Sequence, residues 1–123
     1  MLVKPITYVD YNGETRTEEF RFNLSRAEVL EMEMSTPGGM TTYLDNLVKA
    51  KDVPALVKAW KEIVFKAYGV KSPDGRRFIK SPEISEEFAQ TEAYSELFVE
   101  LTSDSKKAAE FFNAIIPKKQ SEA

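Results

Sequence analysis

A chain of 123 residues is near the commonest size for one domain, and at 42% hydrophobic and 30% charged it has a globular rather than a disordered composition. With no Cys and no His, it lacks disulfides, thiolate nucleophiles, the commonest metal ligand and the usual general base near neutral pH. The net charge of −3 is spread over 17 basic and 20 acidic residues with no basic stripe, which argues against nucleic acid, and no apolar run reaches the roughly 18–20 residues of a membrane span.

From the N-terminus, Ile6-Thr7-Tyr8-Val9-Asp10-Tyr11 and Thr15 to Phe22 predict a β-hairpin over residues 4–23. Asn12-Gly13 between them predicts a two-residue type I′ turn, with Tyr11 opposite Glu14 and Val9 opposite Arg16. In that register Phe20 and Phe22 share a face with Pro5, Val9 and Tyr11. Ser25 and Glu28 form a capping box, with Leu24 and Val29 as a hydrophobic staple, and so open a helix that ends near Met34. Its expected inward face is Ala27, Leu30 and Met34, with Met32 on the other side near Val29. Ser35-Thr36-Pro37-Gly38-Gly39 then breaks the chain.

A second helix is predicted over 41–50, with Tyr43, Leu44, Leu47 and Val48 as its stripe. Asp52 caps a third, in which Val53, Leu56, Val57, Trp60, Ile63, Val64 and Ala67 keep helical spacing and Gly69 serves as the C′ glycine. Phe65 lies off that stripe. Ser72-Pro73-Asp74-Gly75 is a tight turn, and 76–80 is extended or irregular. Three short helices follow: one from Ser81-Pro82-Glu83 through Ile84, Phe88 and Ala89, and one over 92–101 presenting Tyr94, Leu97, Phe98 and Leu101. The last is capped by Asp104, carries Ala108, Phe111, Phe112 and Ile115, and is stopped by Pro117. The fold expected is α+β and predominantly α, an N-terminal β-hairpin followed by five to six short helices around one core. Residues 1–123 are expected to form a single domain, with 25–116 helical and 117–123 a polar tail.

Chemistry is hard to place on this pattern. Without Cys or His, a serine or threonine has no ordinary activating base, and no catalytic, cofactor or metal residues are assigned. The carboxylate pairs Glu18-Glu19, Glu31-Glu33 and Glu86-Glu87 alternate with apolar positions or open helices, as solvated faces do. Gly38-Gly39 follows a helix and precedes Met40-Thr41-Thr42, so it is loop punctuation rather than a phosphate cradle. What remains is surface. Methionine adapts to irregular apolar partners, and Met32, Met34 and Met40 bracket the glycine loop, while Met32 and Phe65 fall outside the main stripes. These four residues are the candidate partner-binding set, set against the plainer reading that they are ordinary core.

Several stretches, in order, resemble the tail assembly chaperones of long-tailed (siphovirus-type) bacteriophages and prophages. They are Lys4-Pro5-Ile6-Thr7-Tyr8, the Asn12-Gly13 turn, Phe20-Arg21-Phe22-Asn23-Leu24-Ser25, and Glu31-Met32-Glu33-Met34-Ser35-Thr36-Pro37-Gly38-Gly39. Further on, Lys66-Ala67-Tyr68-Gly69, Asp74-Gly75-Arg76-Arg77-Phe78-Ile79-Lys80-Ser81, Gln90-Thr91-Glu92-Ala93-Tyr94 and Phe111-Phe112-Asn113-Ala114-Ile115-Ile116-Pro117 are similar too. The resemblance spans about residues 4–117, and Asn113-Ala114 departs from an expected Asn-Gly. It implies a non-enzymatic protein of the host cytoplasm, absent from the mature virion and needing no cofactor. Such a protein binds the tape measure protein, keeps it soluble and promotes tail tube polymerisation around it. Its implied partners are the tape measure protein, the tail tube protein and a frameshift-extended form of itself, with self-association possible but no nucleic acid and no membrane.

Two other readings stay open on the sequence. Exposed hairpin edges suit a structural tail or head-completion subunit. A small cellular protein-binding regulator of the antitoxin type is the other.

Overall fold

The β-branched and aromatic residues of Leu2–Val9 (β1) and Thr15–Phe22 (β2) pair antiparallel in a computed structural model that describes residues 1–39, 42–43, 46, 49–51 and 53–117. The hairpin forms, but its register differs from the expected one by a residue: Val9 stands opposite Thr15 and Leu2 opposite Phe22. The cause is local. Asp10 N–H donates to the Glu14 carbonyl, Gly13 N–H donates to the Asp10 carbonyl, and Gly13, not Asn12, takes the left-handed backbone at φ 82°. This is the three-residue loop, a turn followed by a left-handed glycine. The Asp10 carboxylate selects it by accepting from Asn12 N–H and Glu14 N–H and pairing with Arg16.

A one-residue slip reverses the sheet faces. Phe20 and Phe22 therefore share a face with Leu2, Ile6 and Tyr8, and Ile6, Tyr8 and Phe22 are buried. Pro5 and Val9, expected inside, lie on the open side, and Tyr11, also expected inside, stands in the loop, 77% exposed.

The Ser25–Glu28 capping box opens α1 (Arg26–Ser35) as expected. Its inward face is the reverse of the expected one. Val29 and Met32 pack on the core, whereas Ala27, Leu30 and Met34 face solvent. Apolar residues line both sides of this helix, so spacing alone does not decide which side turns inward. Residues 42–43, 46 and 49–50 are helical, in line with the second predicted helix. Its stripe residues Leu44, Leu47 and Val48, the Asp52 cap, Met40 and the tail beyond Pro117 lie outside the described residues.

The long helix α2 (Val53–Ala67) keeps its pattern, with Ala59, Ile63, Val64 and Ala67 buried. It does not end on Gly69. The chain instead straightens into β3 (Tyr68–Lys71), which pairs with β2 through Phe22 opposite Tyr68, and then returns as β4 (Phe78–Ile79). The span 25–116 is thus not wholly helical, and the hairpin grows into a four-stranded antiparallel sheet in the order β1-β2-β3-β4. Gly69 is required by contact rather than by conformation. A Cβ there would lie 2.7 Å from the Phe78 ring and 2.9 Å from the Ile79 carbonyl oxygen. The predicted 72–75 turn forms around buried Ser72, whose hydroxyl donates to Asp74 and accepts from Arg77 N–H.

Helices α3 (Pro82–Ala89), α4 (Glu92–Ser103) and α5 (Ser105–Ile115) begin at the side-chain caps Ser81, Thr91 and Asp104. One face of the sheet is sealed by an aromatic cluster. Phe22 meets Tyr68, Phe88 and Phe111 at 5.2–5.8 Å, and Tyr68 stacks on Phe88 at 4.3 Å. Such pairs contribute about 0.5–1.5 kcal/mol each beyond area burial. The segment leaving β2 also closes two helix ends. Asn23 N–H donates to the Ala67 carbonyl and Leu24 N–H to the Ile115 carbonyl, so the last turns of α2 and α5 meet at one point.

Candidate functional site

Between α1 and α2 lies a mainly apolar cleft of about 480 Å³ lined by Met32, Tyr43, Ala59, Glu62, Ile63, Phe65 and Lys66. Ala59, Glu62, Ile63 and Lys66 follow i, i+3, i+4, i+7 spacing, so one face of α2 forms the floor and one rim. Ala59 and Ile63 are buried beneath, while Glu62 and Lys66 stand exposed at the edge. Met32 reaches in from α1, and Tyr43 supplies a half-polar, 41% exposed ring. Phe65 is fixed from behind, its ring stacked on Tyr94 at 5.2 Å, and its carbonyl accepts from the Ser85 hydroxyl. The geometry is a groove with an apolar floor, a flexible thioether and a charged rim. It suits an amphipathic segment better than a small polar substrate.

Of the four residues nominated from sequence, the fold brings Met32 and Phe65 together in this cleft. Both also touch the core, so they are half-buried rather than free. Met34 lies on the solvent side of α1, 72% exposed and outside the cleft lining, and Met40 falls outside the described residues. Sequence reasoning missed Ala59 and Ile63 as lining residues because their stripe reads equally well as core. Tyr43 likewise reads in sequence as one member of a helix stripe.

The titrating groups displaced from their ordinary values are structural. Burial works to raise the Glu28 carboxyl, but hydrogen bonds from Lys80 and the Ser25 backbone outweigh it and hold it below its usual range. Lys80 ties α1 to β4 by donating to both Glu28 carboxylate oxygens and to the Asn23 carbonyl. The Tyr8 hydroxyl is held high by its hydrogen bond to Glu18. None of these groups lines the cleft. Among the described residues no cluster of three or more Asp or Glu could hold a metal ion, and no helix is long and apolar enough to cross a membrane.

The residues described form a small antiparallel sheet with helices on one face and an apolar cleft between α1 and α2. The chain matches the phage tail assembly chaperone family over residues 1–123, and it belongs to that family. No curated protein and no solved structure matches it.

Proposed function

We propose that this chain binds the tape measure protein during phage tail assembly, keeps it soluble and promotes polymerisation of the tail tube around it. The observation that supports this most directly is the α1–α2 cleft in a chain of the tail assembly chaperone family. A tape measure is a long amphipathic helical chain whose apolar stripe aggregates when unassembled. A groove floored by Ala59 and Ile63 and walled by Met32 and Phe65 takes such a stripe, and Glu62 and Lys66 meet its polar flanks. Binding at one small cleft is weak, which suits many copies along the chain and displacement by tube subunits. The protein then acts in the host cytoplasm by binding alone, without a cofactor, and leaves before the virion is complete. A frameshift-extended form sharing these residues would carry the same cleft.

Co-expression with the tape measure protein tests the reading. The soluble fraction of the tape measure should rise several-fold with this chain. If it is the same with and without the chain, the chaperone role fails. Mass spectrometry of purified virions adds an independent check, since stoichiometric recovery of the chain would make it a structural subunit instead.

A further inference from the structure

A second surface with a definite chemistry lies along the outer edge of β1. Strand β1 pairs only with β2 among the described residues, so its outer side is an open edge. Asp10 and Glu14 form the hydrogen-bonded pair that closes the hairpin, and alternation from there directs the backbone groups of the odd-numbered residues outward. Val3, Thr7 and Val9 thus present both N–H and C=O at the edge, and Pro5 presents C=O alone. The 2.8 Å contact between the Thr7 and Thr17 hydroxyls fits this phase, because side chains are closest across a non-hydrogen-bonded pair.

Helix α4 runs alongside this edge, antiparallel to β1. It is tied at both ends, by Lys4 to Glu100 at 3.0 Å and by the Tyr11 hydroxyl to Glu92 at 2.8 Å. Beside the Lys4–Glu100 tie a groove of about 460 Å³ stays open, lined by Pro5 and Thr7 on one side and on the other by Glu96, Val99 and, past Glu100, Asp104 and Lys107. Glu92, Glu96 and Glu100 fall at i, i+4, i+8, a single row of carboxylates on α4, of which Glu96 and Glu100 line the groove. Glu100 is engaged by Lys4 of β1, and Glu92 by Tyr11 of the hairpin loop. Glu96 is exposed and makes no ion pair among the described residues, and Val99 beside it is 61% exposed.

From this juxtaposition we propose that the groove between β1 and α4 docks an extended, basic segment of a protein partner as a fifth strand. The segment would carry a Lys or Arg against Glu96 and an aliphatic side chain two residues away over Val99. Strand addition satisfies the outward groups of Val3, Thr7 and Val9, and the period of two places alternate side chains on the α4 wall. A second copy of this chain fits poorly, since pairing β1 with β1 brings two Glu92-Glu96-Glu100 rows together and like charges repel. The site is separate from the α1–α2 cleft and does not depend on the function proposed for it.

The probe is a capped peptide of about eight residues with Lys and Val at alternate inward positions and Thr elsewhere, paired with a counterpart carrying Glu for Lys. Titrated into the full chain and followed by backbone amide shifts, the Lys peptide should bind at least tenfold more tightly and move the Thr7 and Val9 amides. Glu96→Lys, at an exposed position, should reverse the preference. Thr7→Pro removes an outward N–H while sparing the ladder to β2, and should abolish binding of the Lys peptide. No binding at millimolar peptide, equal binding of both peptides, or an unchanged preference in Glu96→Lys overturns the proposal. So does a dimer of the free chain that sedimentation detects and Thr7→Pro dissolves, because the edge then belongs to a second copy.

Discussion

Gly13 and Gly69 show that one residue type is demanded for two different reasons. Gly13 sits at φ 82°, and a Cβ added there would have nothing within 4 Å, so its constraint is backbone conformation alone. Gly13→Ala should cost about 1 kcal/mol, the usual penalty for a left-handed L-residue. Gly69 has ordinary strand geometry, but its Cβ would press on a backbone oxygen at 2.9 Å as well as on the Phe78 ring. A ring can swing aside and a ladder carbonyl cannot do so without breaking its pairing. Gly69→Ala should therefore cost more, about 1–3 kcal/mol, and loosen the β3–β4 hairpin. Urea denaturation of the two variants checks the order. Equal losses would mean that the Ile79 carbonyl also gives way at little cost.

At the scale of elements, α1 is held to the core by few described contacts. It has no fully buried residue, and Val29, Met32 and the Lys80–Glu28 contact join it to the rest of the fold. Glu28 titrates below its ordinary value when folded, so the unfolded chain takes up the proton first. The stability from this contact is complete above about pH 5 and is lost as the pH falls through the lower folded value. Lys80→Met should flatten stability against pH in that acid range. It should also speed amide exchange in 26–35 while leaving the Leu97–Leu101 turn of α4 unchanged. Uniform acceleration across both helices would show that Lys80 supports the whole molecule rather than α1.

The same contrast explains which elements could be read from the sequence. The Ser25, Ser81 and Asp104 caps are local devices, and each formed where its residues predicted. Strand β3 depends on pairing with β2, far away along the chain, and its Tyr68-Gly69 start looks like a helix C-terminus when read alone. The hairpin register turned on Asp10, a residue outside the dipeptide that signals the turn. For α1, two nearly equal apolar sides left the choice to tertiary packing.

For the molecule as a whole, core and cleft should separate by experiment even though they share α2. Met32 is half-buried and Gln nearly matches it in volume, so Met32→Gln should cost only about 1–2 kcal/mol, mainly for the partly buried amide. If the cleft carries the partner, that variant should still lose most of its capacity to keep the tape measure soluble, because a polar amide replaces the thioether in the apolar wall. Phe111 lies in the core, 4% exposed and edge-on to Phe22 at 5.2 Å. Phe111→Ala should cost about 3–5 kcal/mol, within the roughly 5–15 kcal/mol that a domain of this size commands. Enough of it should stay folded at 25 °C to be assayed, and its activity per folded molecule should be close to that of the parent chain. Solubilisation assays normalised to the folded fraction, measured by near-UV circular dichroism, distinguish the two effects. A Met32→Gln protein with full activity would return the cleft to ordinary packing and shift the search to the solvent side of α1, where Leu30 and Met34 stand exposed.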